Sequence, residues 1–230
     1  MSRRKTGKET QKENTMPPVL QEKDEGLVLT DGKLCLMADF APMIPRLKKG
    51  VIGTELLVRA AKLKKKSDSG ETPKLIDATA GLGEDAILLA AAGFSVIMYE
   101  QNPTIASLLE DALCRAKDVS ELSEIVSRME LINADSIEAM KSLEEAPDVI
   151  YLDPMFPERK KSALIKKKFQ LLQQLEMPCT NEEELLAAAM AAHPHKIVIK
   201  RPAGGPFLAG VKPDYTISGK AVRYDCLVFL

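Results

Sequence analysis

Apolar positions follow two rhythms along the chain. Between residues 75 and 200, short apolar runs alternate with longer stretches whose apolar residues fall three and four apart. The short runs predict strands at Leu75–Ala78, Ser95–Tyr99, Glu130–Asn133, Val149–Leu152 and Ile197–Lys200. The longer stretches predict helices near Glu84–Ala92, Thr104–Lys117, Ser120–Arg128, Ser136–Leu143, Ser162–Leu175 and Glu182–Ala192. Strands separated by helices imply a parallel sheet with helices on both faces. After Lys200 the rhythm breaks. Tyr215–Ile217 and Tyr224–Phe229 flank Gly219-Lys220 with no room for a helix, which predicts an antiparallel hairpin closing the sheet.

Upstream, Leu27-Val28-Leu29 and Leu34 to Ala38 flank Asp31-Gly32, the signature of a tight turn between two strands. Leu56, Leu57, Ala60, Ala61 and Leu63 mark a helix over about Thr54–Lys66, and the polar stretch Lys64 to Pro73 reads as a linker. Three regions are therefore expected: a disordered polar tail over 1–24, a small N-terminal α+β appendage (hairpin plus helix) over 25–72, and an α/β domain over 73–230. The 230 residues are 45% hydrophobic, enough for a sizeable core. A formal net charge of −1 excludes a global positive field, so any nucleic-acid contact must come from local basic clusters. Cys35, Cys114, Cys179 and Cys226 lie far apart and there are two histidines, so no metal site is expected. Residues 1–15 have no apolar core of a signal peptide, and no run is long enough to span a bilayer. The expectation is a cytoplasmic protein with no membrane partner.

The chemistry gathers where predicted strands end. The segment DATAGLGEDA, residues 77–86, leaves a strand and opens a helix. Gly81 and Gly83 permit a tight turn and close approach of a ligand to the backbone, while Asp77 stands at the strand's carboxyl end, placed to accept from an ammonium or an ordered water. Ala86 stands where a dinucleotide fingerprint has its third glycine, a variant that keeps a dinucleotide reading open. Glu100 follows the next strand, about 20 residues on, where a carboxylate reaches ribose hydroxyls. After the third strand, Asp135 is placed to accept from an adenine amino group and Ser136 to cap the next helix.

The fourth strand runs into VIYLDPMFP, residues 149–157. An aspartate-proline-x-phenylalanine turn at a strand tip is similar to the motif of amino-methyltransferases acting on nucleic-acid bases. An exocyclic base amine is a poor nucleophile because its lone pair is delocalised into the ring. Asp153, with a carbonyl near Pro154, can accept the amine's hydrogens and stabilise the positive charge that grows on nitrogen. Phe156 offers a face on which the base stacks. Basic residues follow at Arg159, Lys160 and Lys161, and Lys200-Arg201 ends the fifth strand. Both clusters are candidate phosphate contacts.

Taken together, DATAGLGEDA, Glu100-Gln101-Asn102-Pro103, YLDPMFPERKKSAL (151–164) and IVIKRP (197–202) resemble the ribosomal small-subunit RNA guanine-N2 methyltransferase J family, from about Leu27 to the C-terminus. The resemblance implies a Rossmann-like class I fold and S-adenosyl-L-methionine (SAM) as methyl donor, with S-adenosyl-L-homocysteine as product. It implies N2-methylation of a guanine in small-subunit (16S) rRNA, free or in the assembling 30S subunit. It also places cofactor contacts on Glu84-Asp85, Glu100-Gln101, Asp135-Ser136 and Asp153. Glu84 and Gln101 stand where the family has arginines, and Asp135 where serine is common. The residues themselves leave three alternatives open: an N6-adenine methyltransferase, a dinucleotide oxidoreductase, and a non-catalytic nucleotide- or RNA-binding module.

Overall fold

The computed structural model describes residues 17–63, 71–154, Leu171, Leu175 and 181–229. Its centre is a seven-stranded sheet built from β4 (Lys74–Asp77), β5 (Ser95–Tyr99), β6 (Met129–Ile132), β7 (Val149–Leu152), β8 (Lys196–Pro202), β9 (Tyr215–Ser218) and β10 (Val222–Val228), in the order β6-β5-β4-β7-β8-β10-β9. The first five strands of that order are parallel, and β10 pairs antiparallel with both β8 and β9. The doubly wound sheet with a terminal antiparallel hairpin is the architecture expected from the apolar rhythm.

Side chains on a strand alternate between faces, and the core divides accordingly. Leu75, Val96, Met98, Val149, Tyr151, Val198, Tyr224 and Cys226 face one layer, formed by α3 (Leu56–Ala61), α4 (Glu84–Ala91), α5 (Pro103–Lys117) and α6 (Ser120–Val126). Ile76, Ile150, Leu152, Ile197, Ile199 and Leu227 face the other, formed by α7 (Ser136–Lys141) and α8 (Glu182–Ala191). Helix α5 starts where Asn102 caps it, its side-chain oxygen accepting from the amides of Thr104 and Ile105, with Pro103 in the first turn.

The N-terminal region differs from expectation in three ways. The expected hairpin is present as β2 (Gly26–Thr30) and β3 (Cys35–Leu36), with Asp31 Oδ1 accepting from the amides of Lys33 and Leu34. A further strand, β1 (Val19–Lys23), pairs antiparallel with β2, inside the stretch 1–24 expected to be disordered. Its polar side chains hid it: as an edge strand it is held by backbone pairing, and Gly26 at φ +133° makes the return. Short helices α1 (Ile44–Leu47) and α2 (Lys49–Ile52) precede α3, which spans Leu56–Ala61 rather than Thr54–Lys66. Leu29, Leu36, Ala38, Phe40 and Leu57 join the same buried cluster as α4 and α5. Arg115 of α5 fastens this layer by donating to the Ala38 carbonyl at 2.5 Å. The expected helix over 162–175 lies outside the described residues, save Leu171, which is buried, and Leu175, and so do residues 64–70 of the expected linker. Among the described residues, no helix is long and apolar enough to cross a membrane.

Candidate active site

Connections leave β4 toward β5 and β6 on one side and pass from β7 to β8 on the other, so the strand order reverses between β4 and β7. Open α/β sheets bind ligands at the carboxyl ends of strands flanking such a switch. Here those ends carry the Ala78–Gly83 loop, Glu100 and Asp153.

The two loop glycines do different jobs. Both have positive φ, +53° at Gly81 and +76° at Gly83. A Cβ on Gly83 would lie 2.7 Å from Leu109 Cδ1 and 3.2 Å from Phe40 Cζ, so this glycine lets the loop pack against α5. A Cβ on Gly81 would meet nothing within 4 Å, which leaves that stretch of backbone open to a ligand. Glu100 holds the loop from β5: its Oε2 accepts from the Gly81 amide at 3.0 Å and its Oε1 from the Asn102 amide at 2.8 Å. Burial raises the Glu100 pKa, against the pull of those two donors. Each oxygen retains a second acceptor direction, matching a pair of vicinal ribose hydroxyls. Gln101 lies exposed beside it.

Asp77, expected to face a ligand, is 1% exposed and lies under the loop. It is the last residue of β4 and pairs with Tyr151 inside the sheet, short of the strand tip where Asp153 stands. Its Oδ1 accepts from the Thr79 amide at 3.1 Å, and burial pushes its pKa up to about 8. Asp77 therefore shapes the loop from below. At the tip of β6, Asp135 caps α7 by accepting from the Ile137 amide at 2.8 Å, and Ser136, expected as the cap, is the first helical residue. The extended backbone of Asp135 (φ −70°, ψ 118°) is what aims its carboxylate at the helix end.

Asp153 stands directly beside the glycine loop. Its amide donates to Thr79 Oγ1 at 2.7 Å, while the Ala78 amide donates to the Tyr151 carbonyl at 3.0 Å. The Asp153 side chain is 36% exposed, and Pro154 after it is buried. Lys200 of β8 places its Nζ 2.9 Å from Asp153 Oδ2 and 2.6 Å from Asp85 Oδ2, and Tyr151 Oη donates to the same Asp85 oxygen at 2.6 Å. Burial raises the Asp153 pKa; the Lys200 ammonium opposes this without cancelling it, and Asp85 adds to it. Burial works against the Lys200 charge, yet the two carboxylates outweigh it and hold the ammonium well above the ordinary lysine range. Burial, with Asp85 and Asp153 nearby, pushes Tyr151 well up as well, so it stays a neutral donor.

The expected phosphate contacts at Lys200 and Arg201 are not what these side chains make. Arg201 is 1% exposed; it points to the opposite face from Lys200 and donates to the Pro206 carbonyl at 2.9 Å and to Glu182 at 3.3 Å. Lys200 is engaged by two carboxylates. Phe156, Arg159, Lys160 and Lys161 lie outside the described residues. Sequence reasoning missed Thr79 and Tyr151. Tyr151 precedes Asp153 by two strand positions and so shares its face, a signal that was available.

The donor set fits SAM. Glu84 and Asp85 occupy the first turn of α4, where a dinucleotide would place its pyrophosphate, and two carboxylates there repel phosphate. With Glu100, Asp135 and Asp153 they make an acidic set at the carboxyl ends of the strands, a charge that suits a cationic ligand rather than a pyrophosphate. Among the described residues, no cluster of metal-ligating side chains forms.

Comparison with known proteins agrees. Residues 5–229 match the family model described as "Putative SAM-dependent methyltransferase". A ribosomal RNA small subunit methyltransferase J of Pseudomonas fluorescens (strain SBW25) is 46% identical over 157 residues, covering 68% of this chain and 60% of that protein. This match therefore spans less than two thirds of the relative's length. The protein of the same name from Nitrosococcus oceani is 42% identical over 196 residues, covering 80% of this chain and 76% of its own. The crystal structure of a SAM-dependent methyltransferase from Neisseria gonorrhoeae superposes with a TM-score of 0.73 at 29% identity, over 95% of this chain and 85% of that one. Fold, site and kinship converge: the chain belongs to the SAM-dependent methyltransferase family that includes the ribosomal RNA small subunit methyltransferase J proteins.

Proposed function

We propose that the protein methylates the exocyclic N2 amine of a guanine in small-subunit rRNA, with Asp153 as the group that receives the amine. When bound, SAM supplies an electrophilic methyl group on a sulfonium. The residues assigned to hold it are Gly81, through its open backbone, Glu100 and Gln101 at the ribose, Asp135-Ser136 at the adenine, and Glu84-Asp85 near the positive charge. The carboxylate of Asp153 accepts a hydrogen from the amine, turns the nitrogen lone pair toward the donor, and stabilises charge growing on nitrogen. No strong base is needed, because the amine becomes acidic only once methylated. Phe156 stacks on the base, and Arg159, Lys160 and Lys161 meet phosphates of the rRNA, free or within the assembling 30S subunit.

The observation that carries this reading is the hydrogen bond that the Asp153 amide donates to Thr79 Oγ1, which holds this aspartate beside the glycine loop. The names of the relatives support rRNA as substrate. The test is transfer of labelled methyl from SAM to small-subunit rRNA lacking the mark. Wild-type protein transfers label to naked rRNA or to assembled subunits, and Asp153→Ala lowers the rate by at least about a hundredfold, the scale of losing one electrostatic contact made in the transition state. Absence of transfer to both substrates overturns the proposal.

A further inference from the structure

The fifth strand carries an ammonium that neither phosphate binding nor core packing explains. Lys200 sits in register with Tyr224 of β10, and one residue beyond the Leu152–Ile199 pair, so it lies level with Asp153 on the neighbouring strand. Its Nζ contacts Asp153 Oδ2 and Asp85 Oδ2 together. Asp85 is itself fixed by the Tyr151 hydroxyl, so the bridge has one rigid end, on the helix that follows the cofactor loop, and one partly exposed end at Asp153. We propose that Lys200 is a positioning residue of the methyl transfer: its ammonium, anchored on Asp85, keeps Asp153 a carboxylate, holds Oδ2, and leaves Oδ1 to accept the target amine. This rests on the reading of Asp153 as that acceptor.

The chemistry requires such a group. A protonated Asp153 donates one hydrogen and can no longer stabilise charge on the amine through both lone pairs of an anion. Its surroundings push toward protonation: burial and Asp85 both disfavour a second negative charge. The titratable and charged groups around the pair are Asp77 from β4, Glu84 and Asp85 from α4, Tyr151 from β7, Arg201 from β8 and Tyr224 from β10. Arg46 of α1 and Glu55 before α3 face Asp85 from the N-terminal layer. Arg46 is occupied in a two-pronged pair with Glu55, and Arg201 with Glu182, whereas Lys200 touches Asp153. An opposite charge at such a distance lowers a carboxylate pKa by about 1–3 units.

The experiment is the pH profile of kcat/KM for methyl transfer at saturating SAM, alongside carboxyl-carbon NMR titration of Asp153 without substrate, assigned by difference from Asp153→Asn. Lys200→Met shifts the acidic limb and the NMR midpoint upward by about 1–3 units. At neutral pH it lowers kcat more than it raises the KM for RNA, and S-adenosylhomocysteine binding by calorimetry changes less than about threefold, equivalent to about 0.7 kcal/mol. Lys200→Arg returns the limb toward wild type. Asp85→Asn shifts it downward, because a like charge is removed and Lys200 is no longer shared. Should Lys200→Met not fold, Lys200→Gln, which keeps a polar end without the charge, carries the test, and an unmoved limb in that variant overturns the proposal. A folded Lys200→Met with an unmoved limb, or with only a KM defect that low salt repairs, also overturns it. Failure of the underlying reading has a different signature: Asp153→Asn keeps wild-type transfer.

Discussion

At the scale of single residues, distance along the strand separates two acids that share a face: Asp77 pairs with Tyr151 inside the sheet, and Asp153 lies two residues beyond that pair. Asp77 is sealed under the glycine loop, whereas the Asp153 side chain is 36% exposed. Asp77 has a folded pKa of about 8, raised by burial, against an ordinary value of 3.8. Between those values the folded state holds a proton that the unfolded chain has released. Stability contributed by this group is thus complete below about pH 4 and is lost as pH rises toward 8, at about 1.4 kcal/mol per pH unit. Asp77→Asn keeps an acceptor for the Thr79 amide and removes the ionisation. Urea denaturation from pH 5 to 9 should show the wild-type midpoint falling more steeply than that of the variant, and parallel curves contradict the assignment. Residue types were legible in the sequence: Asp153, Glu100 and the two glycines were all singled out. Direction was not, because the burial of Asp77 and of Arg201 and the capture of Lys200 by Asp85 depend on partners brought from other strands.

At the scale of elements, strands with buried faces and capped helices matched their sequence patterns. Ser95–Tyr99 and Val149–Leu152 have the expected bounds. Errors fell where polar residues were read as boundaries. β8 begins at Lys196 because that ammonium donates to the carbonyls of Ala60 and Lys62 at the end of α3, a favourable place for a cation. It runs on to Pro202 because Arg201 finds buried partners. The glycine loop supplies the element-level test. Gly83→Ala introduces a strained φ and a clash with Leu109, for a loss of about 2–4 kcal/mol in thermal or urea denaturation. Gly81→Ala pays only the backbone strain, about 1–2 kcal/mol. Its methyl group enters the open space, so S-adenosylhomocysteine affinity should fall at least about tenfold, equivalent to about 1.4 kcal/mol. Equal affinity in Gly81→Ala and wild type contradicts the placement of the cofactor against that backbone.

At the scale of the whole molecule, the alternation of strand and helix sufficed for a parallel sheet with a terminal hairpin, since crossover connections have one favoured hand. Strand order was not readable from periodicity, and neither was the way the N-terminal layer shares its core with α4 and α5. That union depends on Leu29, Phe40 and Leu57 meeting Leu109 and its neighbours across long sequence separations. The proposed site draws on several elements: the loop after β4, Glu100 after β5, Asp153 after β7 and Lys200 from β8. The most direct test is mass spectrometry of nucleosides from small-subunit rRNA of a deletion strain, complemented with the wild-type gene or with Asp153→Ala. The account predicts that N2-methylguanosine falls on deletion, returns with the wild-type gene and does not return with Asp153→Ala. Unchanged N2-methylguanosine, a change in N6-methyladenosine instead, or restoration by Asp153→Ala would contradict it.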